Sequence, residues 1–297
     1  MSAHKKKMML IINPVAGKRE AAKNLAELIQ IFYDGGYMVT VFMTGKSGDA
    51  TEFAAKYGGE YDLVVCSGGD GTMNETVTGI IRGGHSVPVG YMPSGSYNDF
   101  AEYQGLSKDV RKAAHNIVKG DPRMVDVIRF SGRYFINAAD FGAFTWLPYT
   151  TPQQKKNTLG AYAYLLEGIK DISKVRSTHM RLMANGGTFE GDYLFGIICN
   201  ATIVGGVLSR KGRIIQSDDG IFEVGMVRQP ETALDFQETL QAVIMEDLGD
   251  PHITFFKTNR LVIETDEPVD WSIDGERMTT NGTAEAETLH SRITLIC

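Results

Sequence analysis

Cysteine is scarce in this chain of 297 residues: Cys66, Cys199 and Cys297 are the only three, each inside an apolar run. That excludes a disulfide framework and fits reduced core thiols in a cytoplasmic protein. No apolar stretch approaches the roughly 18–20 residues that a membrane-spanning helix needs. The lysine-rich start is followed by only the short apolar run Met8–Ile12 before Asn13-Pro14, too short for a signal peptide and predicted to be a first strand. A formal net charge of −6 argues against nucleic acid as a partner. The six histidines form no metal-ligand spacing, and neither an internal repeat nor a low-complexity segment is present. Three common ligand motifs are missing too. Gly45-Lys46-Ser47 lacks the earlier glycine of a Walker A loop, because Thr40 holds that place; Asn74 stands where Gly69-x-Gly71 would need a third glycine for a dinucleotide fingerprint. Met92 and Ser96 flank Ser94 where a nucleophile elbow needs glycines.

What is present suits a soluble protein of two ordinary domains. The first part alternates strand and helix. Strands are predicted at Met8–Ile12, Met38–Phe42, Asp62–Cys66 and Val87–Tyr91, and helices at Glu20–Phe32, Asn74–Ile81 and Ser107–Val118. Such alternation implies a parallel, helix-covered sheet with ligands at the carboxyl ends of its strands. From Val125 to the C-terminus the pattern becomes a mostly antiparallel β domain, a sandwich. Its predicted strands are Val125–Phe130, Arg133–Ala138, His179–Met183, Leu194–Ala201, Ile221–Val227, Ile253–Phe256, Arg260–Thr265 and Arg292–Ile296. Helices are expected at Lys156–Val175 and Glu231–Leu248.

Chemistry concentrates in the loops of the first part. Residues 61–74 run a buried strand into a turn containing Gly68, Gly69 and Gly71, and then into a helix expected from Thr72. The glycines let the backbone approach a ligand, and the helix start favours an anion. Asp70 in such a cradle calls for a cation, so a nucleoside triphosphate with Mg²⁺ is the economical reading. A tight strand–helix connector without a ligand gives the same local pattern. Two more loops share the design: Asn13-Pro14-Val15-Ala16-Gly17-Lys18 after the first strand, and Pro93-Ser94-Gly95-Ser96-Tyr97-Asn98-Asp99 after the fourth. All three are expected on one rim of one sheet.

Acidic residues recur elsewhere. Asp274-Gly275-Glu276 sets two carboxylates on either side of a turn, where one can orient or deprotonate a hydroxyl; an ordinary acidic hairpin turn is the other reading. Asp218-Asp219-Gly220 can hold Mg²⁺ with backbone carbonyls, or simply turn. Asp126 opens the β-rich half and reads as a salt-bridge partner, a helix cap or an indirect metal ligand.

The set Asn13-Pro14-x-x-Gly17, Gly68-Gly69-Asp70-Gly71-Thr72-x-Asn74-Glu75, Gly95-x-x-Asn98-Asp99-Phe100-Ala101 and Asp274-Gly275-Glu276, in this order, resembles the soluble bacterial diacylglycerol kinases and related lipid kinases, including sphingosine kinases. The resemblance spans nearly the whole chain. It implies an N-terminal nucleotide-binding domain over residues 1–124, a β-rich domain over 125–297, and an active site in the cleft between them. It places ATP phosphates against Asn13, Pro14, Gly17 and the loop Gly68, Gly69, Gly71, Thr72 and Asn74. Thr44, Gly95, Ser96, Asn98 and Asp99 stand nearby. Asp70 becomes the organiser of catalytic Mg²⁺ through water, with Asp126 in the same network, and Glu276 the general base on the lipid hydroxyl, supported by Asp274. A structural Mg²⁺ would take the Asp219 side chain with backbone oxygens of Gln216 and Ile221.

Three departures from the family pattern stand out: Ser96 in place of threonine, Glu102 in place of a basic residue, and Gly212–Ile215 without the usual proline and alanine. The implied activity is ATP-dependent phosphorylation of diacylglycerol or a similar lipid, by a cytoplasmic protein that meets its substrate peripherally at a membrane. The amphipathic stretch Trp146–Ile169 with Lys155-Lys156 is the expected contact, and core packing explains its pattern equally. NAD kinases share the Gly-Gly-Asp-Gly loop but fit the Asn-Pro opening and Asp274-Gly275-Glu276 less well. A non-catalytic lipid or nucleotide sensor is the remaining alternative. The acyl chains of the lipid, and assembly as a monomer or a homodimer, are left open.

Overall fold

The computed structural model describes residues 5–17, 19–142, 176–200, 217–245 and 247–297. The expected helix Lys156–Val175, the stretch Trp146–Ile169 and Gln216 lie outside them. By its internal contacts the chain divides into two units, Met1–Val127 with Ser291–Cys297, and Ile128–His290. The sequence reading kept every residue after Val125 in one domain; the last seven residues instead belong with the first unit.

The first unit is built on β1 (Lys6–Ile12), β2 (Tyr37–Met43), β3 (Leu63–Gly68) and β4 (Val89–Pro93), joined by the end of the last strand, β15 (Thr283–Ile296). The order is β15-β4-β3-β1-β2, and every neighbouring pair is parallel. Continuous apolar runs explain the central strands: all of β3 and β4 is buried, as is β1 from Met8 onward. β2, at the edge, alternates between half-buried and exposed residues. Helices α1 (Glu20–Lys23), α2 (Leu25–Asp34), α3 (Asp49–Tyr57), α4 (Asp70–Arg82), α5 (Asp99–Tyr103) and α6 (Val110–Lys119) connect the strands. Leu28 and Phe32 of α2 and Ala113, Ala114 and Ile117 of α6 close one core over Met8, Leu10, Val65 and Met92. Truncating a fully buried aromatic such as Phe32 to alanine costs about 3–5 kcal/mol.

Two helices differ from expectation. The single helix Glu20–Phe32 is broken at Asn24, whose side-chain amide donates to the Glu20 carbonyl at 2.7 Å and competes with the helical ladder. The helix expected at Asn74–Ile81 starts earlier, at Asp70, directly after an extended Gly69. Helices α3 and α5 are not among the expected elements; both are short, and Gly48 and Gly58 bound the first.

The second unit is antiparallel. Its strands are the end of β5 (Pro122–Phe130), β6 (Arg133–Phe135), β7 (Ala138–Gly142), β8 (Thr178–Ala184), β9 (Gly187–Cys199), β10 (Phe222–Arg228), β11 (Ile253–Thr258), β12 (Arg260–Thr265), β13 (Val269–Ile273), β14 (Glu276–Thr280) and the start of β15. The long β9 pairs with β8 along its first half and with β7 and β10 along its second. The strands turn their apolar faces to one shared core, in the manner of a β-sandwich. Trp271 sits at its centre, 4.7 Å from the Phe130 ring and 4.9 Å from that of Phe141, with its indole N–H donated to Thr280. One helix, α7 (Ala233–Met245), is described here, close to the expected Glu231–Leu248. The expected strand Arg133–Ala138 is two strands, interrupted at Ile136-Asn137.

Candidate active site

Because β1, β3 and β4 are parallel neighbours, the loops that follow them emerge on one edge of the sheet. These loops touch. The Ser94 and Gly95 amides donate to the Gly68 carbonyl at 2.8 and 3.1 Å, and the Asn13 amide donates to Ser67 at 2.9 Å. Asn13 also reaches the Thr72 hydroxyl, at 3.5 Å. Two glycines are required by this packing: a Cβ on Gly95 would strike the Gly69 backbone, and one on Gly17 (φ 49°) the Ser94 carbonyl. Asn13 closes its own loop by accepting from Val15 at 3.1 Å. Asn98 closes the third, taking the Gly95 N–H and donating to the Gly95 carbonyl, both at 2.9 Å, from a left-handed backbone (φ 59°). Pro14 is half-buried in the first loop; Asn74 lies on α4, accepting from Thr78, and Ser96 is exposed.

Asp70 is the first residue of α4, and its carboxylate lies across the start of α5. Oδ2 accepts from the Asp99 amide and Oδ1 from the Phe100 amide, each at 3.1 Å. Burial pushes its pKa above the usual carboxylate range, while these backbone N–H groups pull against the rise. Asp99 is pushed up to about 6, first by burial and then by the charge of Asp70. These two carboxylates, at the N-termini of α4 and α5, offer hard oxygen donors to a cation such as Mg²⁺. Beneath them the Tyr91 hydroxyl donates within 3.3 Å of both the Gly68 carbonyl and Asn98 Oδ1, bracing two loops. Tyr91 was not singled out from sequence. Its signal is one polar atom in an otherwise apolar buried strand.

Thr44 stands at the end of β2 on the same edge, its amide donated to Ile12 at 2.9 Å. Asp126 is fully buried in the first unit, and its Oδ1 accepts the Ser291 amide at 2.5 Å. This ties β5 to the returning β15.

In the second unit, Asp274-Gly275 forms the two-residue turn between β13 and β14, both residues at positive φ (46° and 86°), as a type I′ hairpin turn requires. The Asp274 carboxylate accepts the amides of Ile136, Asn137 and Ala138, each at 3.0 Å, and its own amide donates to Ala138 at 2.9 Å. That is why β6 and β7 are separate strands. Glu276, the next residue, projects into solvent with 56% of its side chain exposed, and Arg133 Nη1 lies 3.7 Å from its Oε2. Asp219 is exposed and accepts the Ile221 amide at 3.2 Å, closing its own turn. Among the described residues no group of three or more His, Cys, Asp or Glu could hold a metal by itself. No described helix is long and apolar enough to cross a membrane.

Known proteins resemble this chain in sequence and in fold. Residues 7–130 match the diacylglycerol kinase catalytic domain. The diacylglycerol kinase of Bacillus subtilis (strain 168) is 32% identical over 274 residues, 91% of this chain and 90% of that protein. The diacylglycerol kinase of Staphylococcus carnosus (strain TM300) is 29% identical over 275 residues, 92% and 89% of the two chains. The crystal structure of a diacylglycerol kinase from Bacillus anthracis str. Sterne matches the fold with a TM-score of 0.75 at 23% identity, over 98% of this chain and 96% of that one. A second crystal structure from the same strain reaches 0.79 at 24% identity, with the same coverage. The chain belongs to the diacylglycerol kinase family and is a lipid kinase.

Proposed function

We propose that this lipid kinase transfers the γ-phosphoryl group of ATP to the free hydroxyl of diacylglycerol, giving phosphatidic acid and ADP. The observation that carries the reading is the meeting of three strand-end loops around Asp70, where backbone amides and two helix starts face a pair of mutually repelling carboxylates. Asn13, Pro14 and Gly17 with Gly68, Gly69, Gly71, Thr72 and Asn74 line the phosphates. Thr44, Gly95, Ser96, Asn98 and Asp99 complete the nucleotide contacts. Mg²⁺, when bound, neutralises charge on the phosphate oxygens. Asp70, with Asp126 in the same network, holds it; the oxygen donors of Asp70 and Asp99 fit such an ion. The Asp219 side chain and the backbone oxygen of Ile221 would hold a structural Mg²⁺.

Glu276 accepts the proton as the acceptor oxygen forms its bond to phosphorus and the bond to the β-phosphate oxygen breaks. An exposed carboxylate on a hairpin pinned by Asp274 suits that role, because positioning is the main catalytic demand of phosphoryl transfer. The acceptor resides in a bilayer, so the protein attaches to the membrane surface from the aqueous side.

The test is transfer of label from γ-labelled ATP, with Mg²⁺, to a panel of lipids in mixed micelles, with NAD as a control acceptor. Labelled phosphatidic acid is the expected product. Label in another lipid corrects the acceptor, label in NAD overturns lipid acceptance, and no label at all overturns the catalytic reading.

A further inference from the structure

Glu75 stands in the motif that carries the family likeness, yet the roles above leave it unused. It lies on α4, in the second turn after Asp70, and its carboxylate leaves that helix to serve another. Oε1 accepts the Ser47 hydroxyl at 3.0 Å and the Gly48 amide at 2.9 Å, and Oε2 accepts the Ala50 amide at 3.3 Å. The Thr51 hydroxyl donates to the Glu75 carbonyl at 3.0 Å. The Gly48 and Ala50 amides are backbone donors at the start of α3, whose cap residue, Gly48, has no side chain to satisfy them. Asp49 completes the set: its Oδ2 takes the amides of Gly45 and Lys46 at 2.7 and 3.0 Å, and those donors hold its carboxyl below the usual range. Every backbone amide from Thr44 to Ala50 other than those of Ser47 and Asp49 therefore ends on Ile12, Asp49 or Glu75, and the Asp49 amide turns back to Lys46.

We infer that Glu75 is a positioning residue for the nucleotide: it locks the Thr44–Gly48 loop to the helix that begins at Asp70, so that Thr44 and Asp70 present a fixed spacing to the phosphates. Its donors lie 24–28 residues away in sequence, so the contact joins two separate elements of the chain. The inference rests on the reading of Thr44 as a nucleotide contact.

The experiment compares wild type, Glu75→Gln and Ser47→Ala in micelle assays, varying ATP and lipid separately. Gln keeps the length but turns an amide donor toward the Ala50 N–H. The expected result for Glu75→Gln is a KM for ATP raised about tenfold, about 1.4 kcal/mol, with kcat within about twofold and the KM for lipid unchanged. Ser47→Ala, which removes one hydroxyl, raises the KM for ATP by about two- to threefold, and decides the matter if Glu75→Gln does not fold. An unchanged KM for ATP in a folded variant overturns the inference while leaving the kinase reading intact, as does an equal loss confined to kcat. If wild type neither turns over nor binds ATP by calorimetry, the kinase reading falls and this inference falls with it.

Discussion

The backbone amide of Asp99 donates to Oδ2 of Asp70 at 3.1 Å, which brings two carboxylates 29 residues apart in sequence onto the same short stretch of chain. Asp99 is pushed up to about 6 in the folded protein, against about 3.9 in an unfolded chain. Between those values the folded protein holds a proton that the unfolded chain has released, so this group's contribution to stability falls as pH rises from about 4 to about 6.

It follows that Mg²⁺ stabilises the folded protein more at pH 7.5 than at pH 5, because only the ionised pair attracts it strongly. Thermal unfolding with and without Mg²⁺ at both pH values checks this. Asp99→Asn should flatten the difference. A Mg²⁺ effect with the same pH dependence in Asp99→Asn would contradict the role given to the pair.

Glu276→Gln is expected to lower kcat by about 10²–10⁴, the usual worth of a general base, while ATP binding stays at its wild-type strength. Asp70→Ala should weaken both. Steady-state assays with parallel calorimetric titration of ATP separate the two, and near-normal turnover in Glu276→Gln removes that residue as the base.

Asp274 carries a structural load as well. Replacing it by alanine strands the amides of Ile136, Asn137 and Ala138 and forces a β-carbon residue without a local hydrogen bond to keep φ at 46°. Each stranded buried donor costs about 1–3 kcal/mol, so the urea midpoint should drop by an amount equivalent to about 3 kcal/mol or more. Asn, which tolerates the left-handed backbone and keeps one acceptor, should cost less than Ala. Equal midpoints for the two variants would show that the three-amide clasp is not what stabilises the turn.

Gly17→Ala should raise the KM for ATP at least about tenfold, since its Cβ must push the first loop away from Ser94, and displacements of about 1 Å cost up to 10²-fold. A KM for ATP equal to wild type would mean that the first loop does not touch the nucleotide.

The legible parts of the fold were those set by short-range rules. The apolar runs of β1, β3 and β4 announced buried parallel strands, and the glycine clusters after them announced close-packed loops, because backbone freedom and side-chain period act over a few residues. The Asp274-Gly275 turn was readable for the same reason, though β13 and β14 on either side of it were not assigned. The break at Asn24 was missed: a side chain that competes with its own helix gives no signal in the apolar periodicity.

By itself, then, the sequence determined the buried strands β1, β3 and β4, which loops are glycine-rich and where the acidic residues stand, since each depends on neighbours along the chain. Tertiary structure decided what those acids touch. Asp70 meets Asp99 and Phe100, Asp274 clasps Ile136–Ala138, and Glu75 caps a helix 25 residues away. It also decided that the last residues of β15 pair in parallel with β4, returning the chain end to the first sheet. A carboxylate accepts from any amide brought within about 3 Å, and which amide arrives there depends on how distant strands register rather than on local pattern.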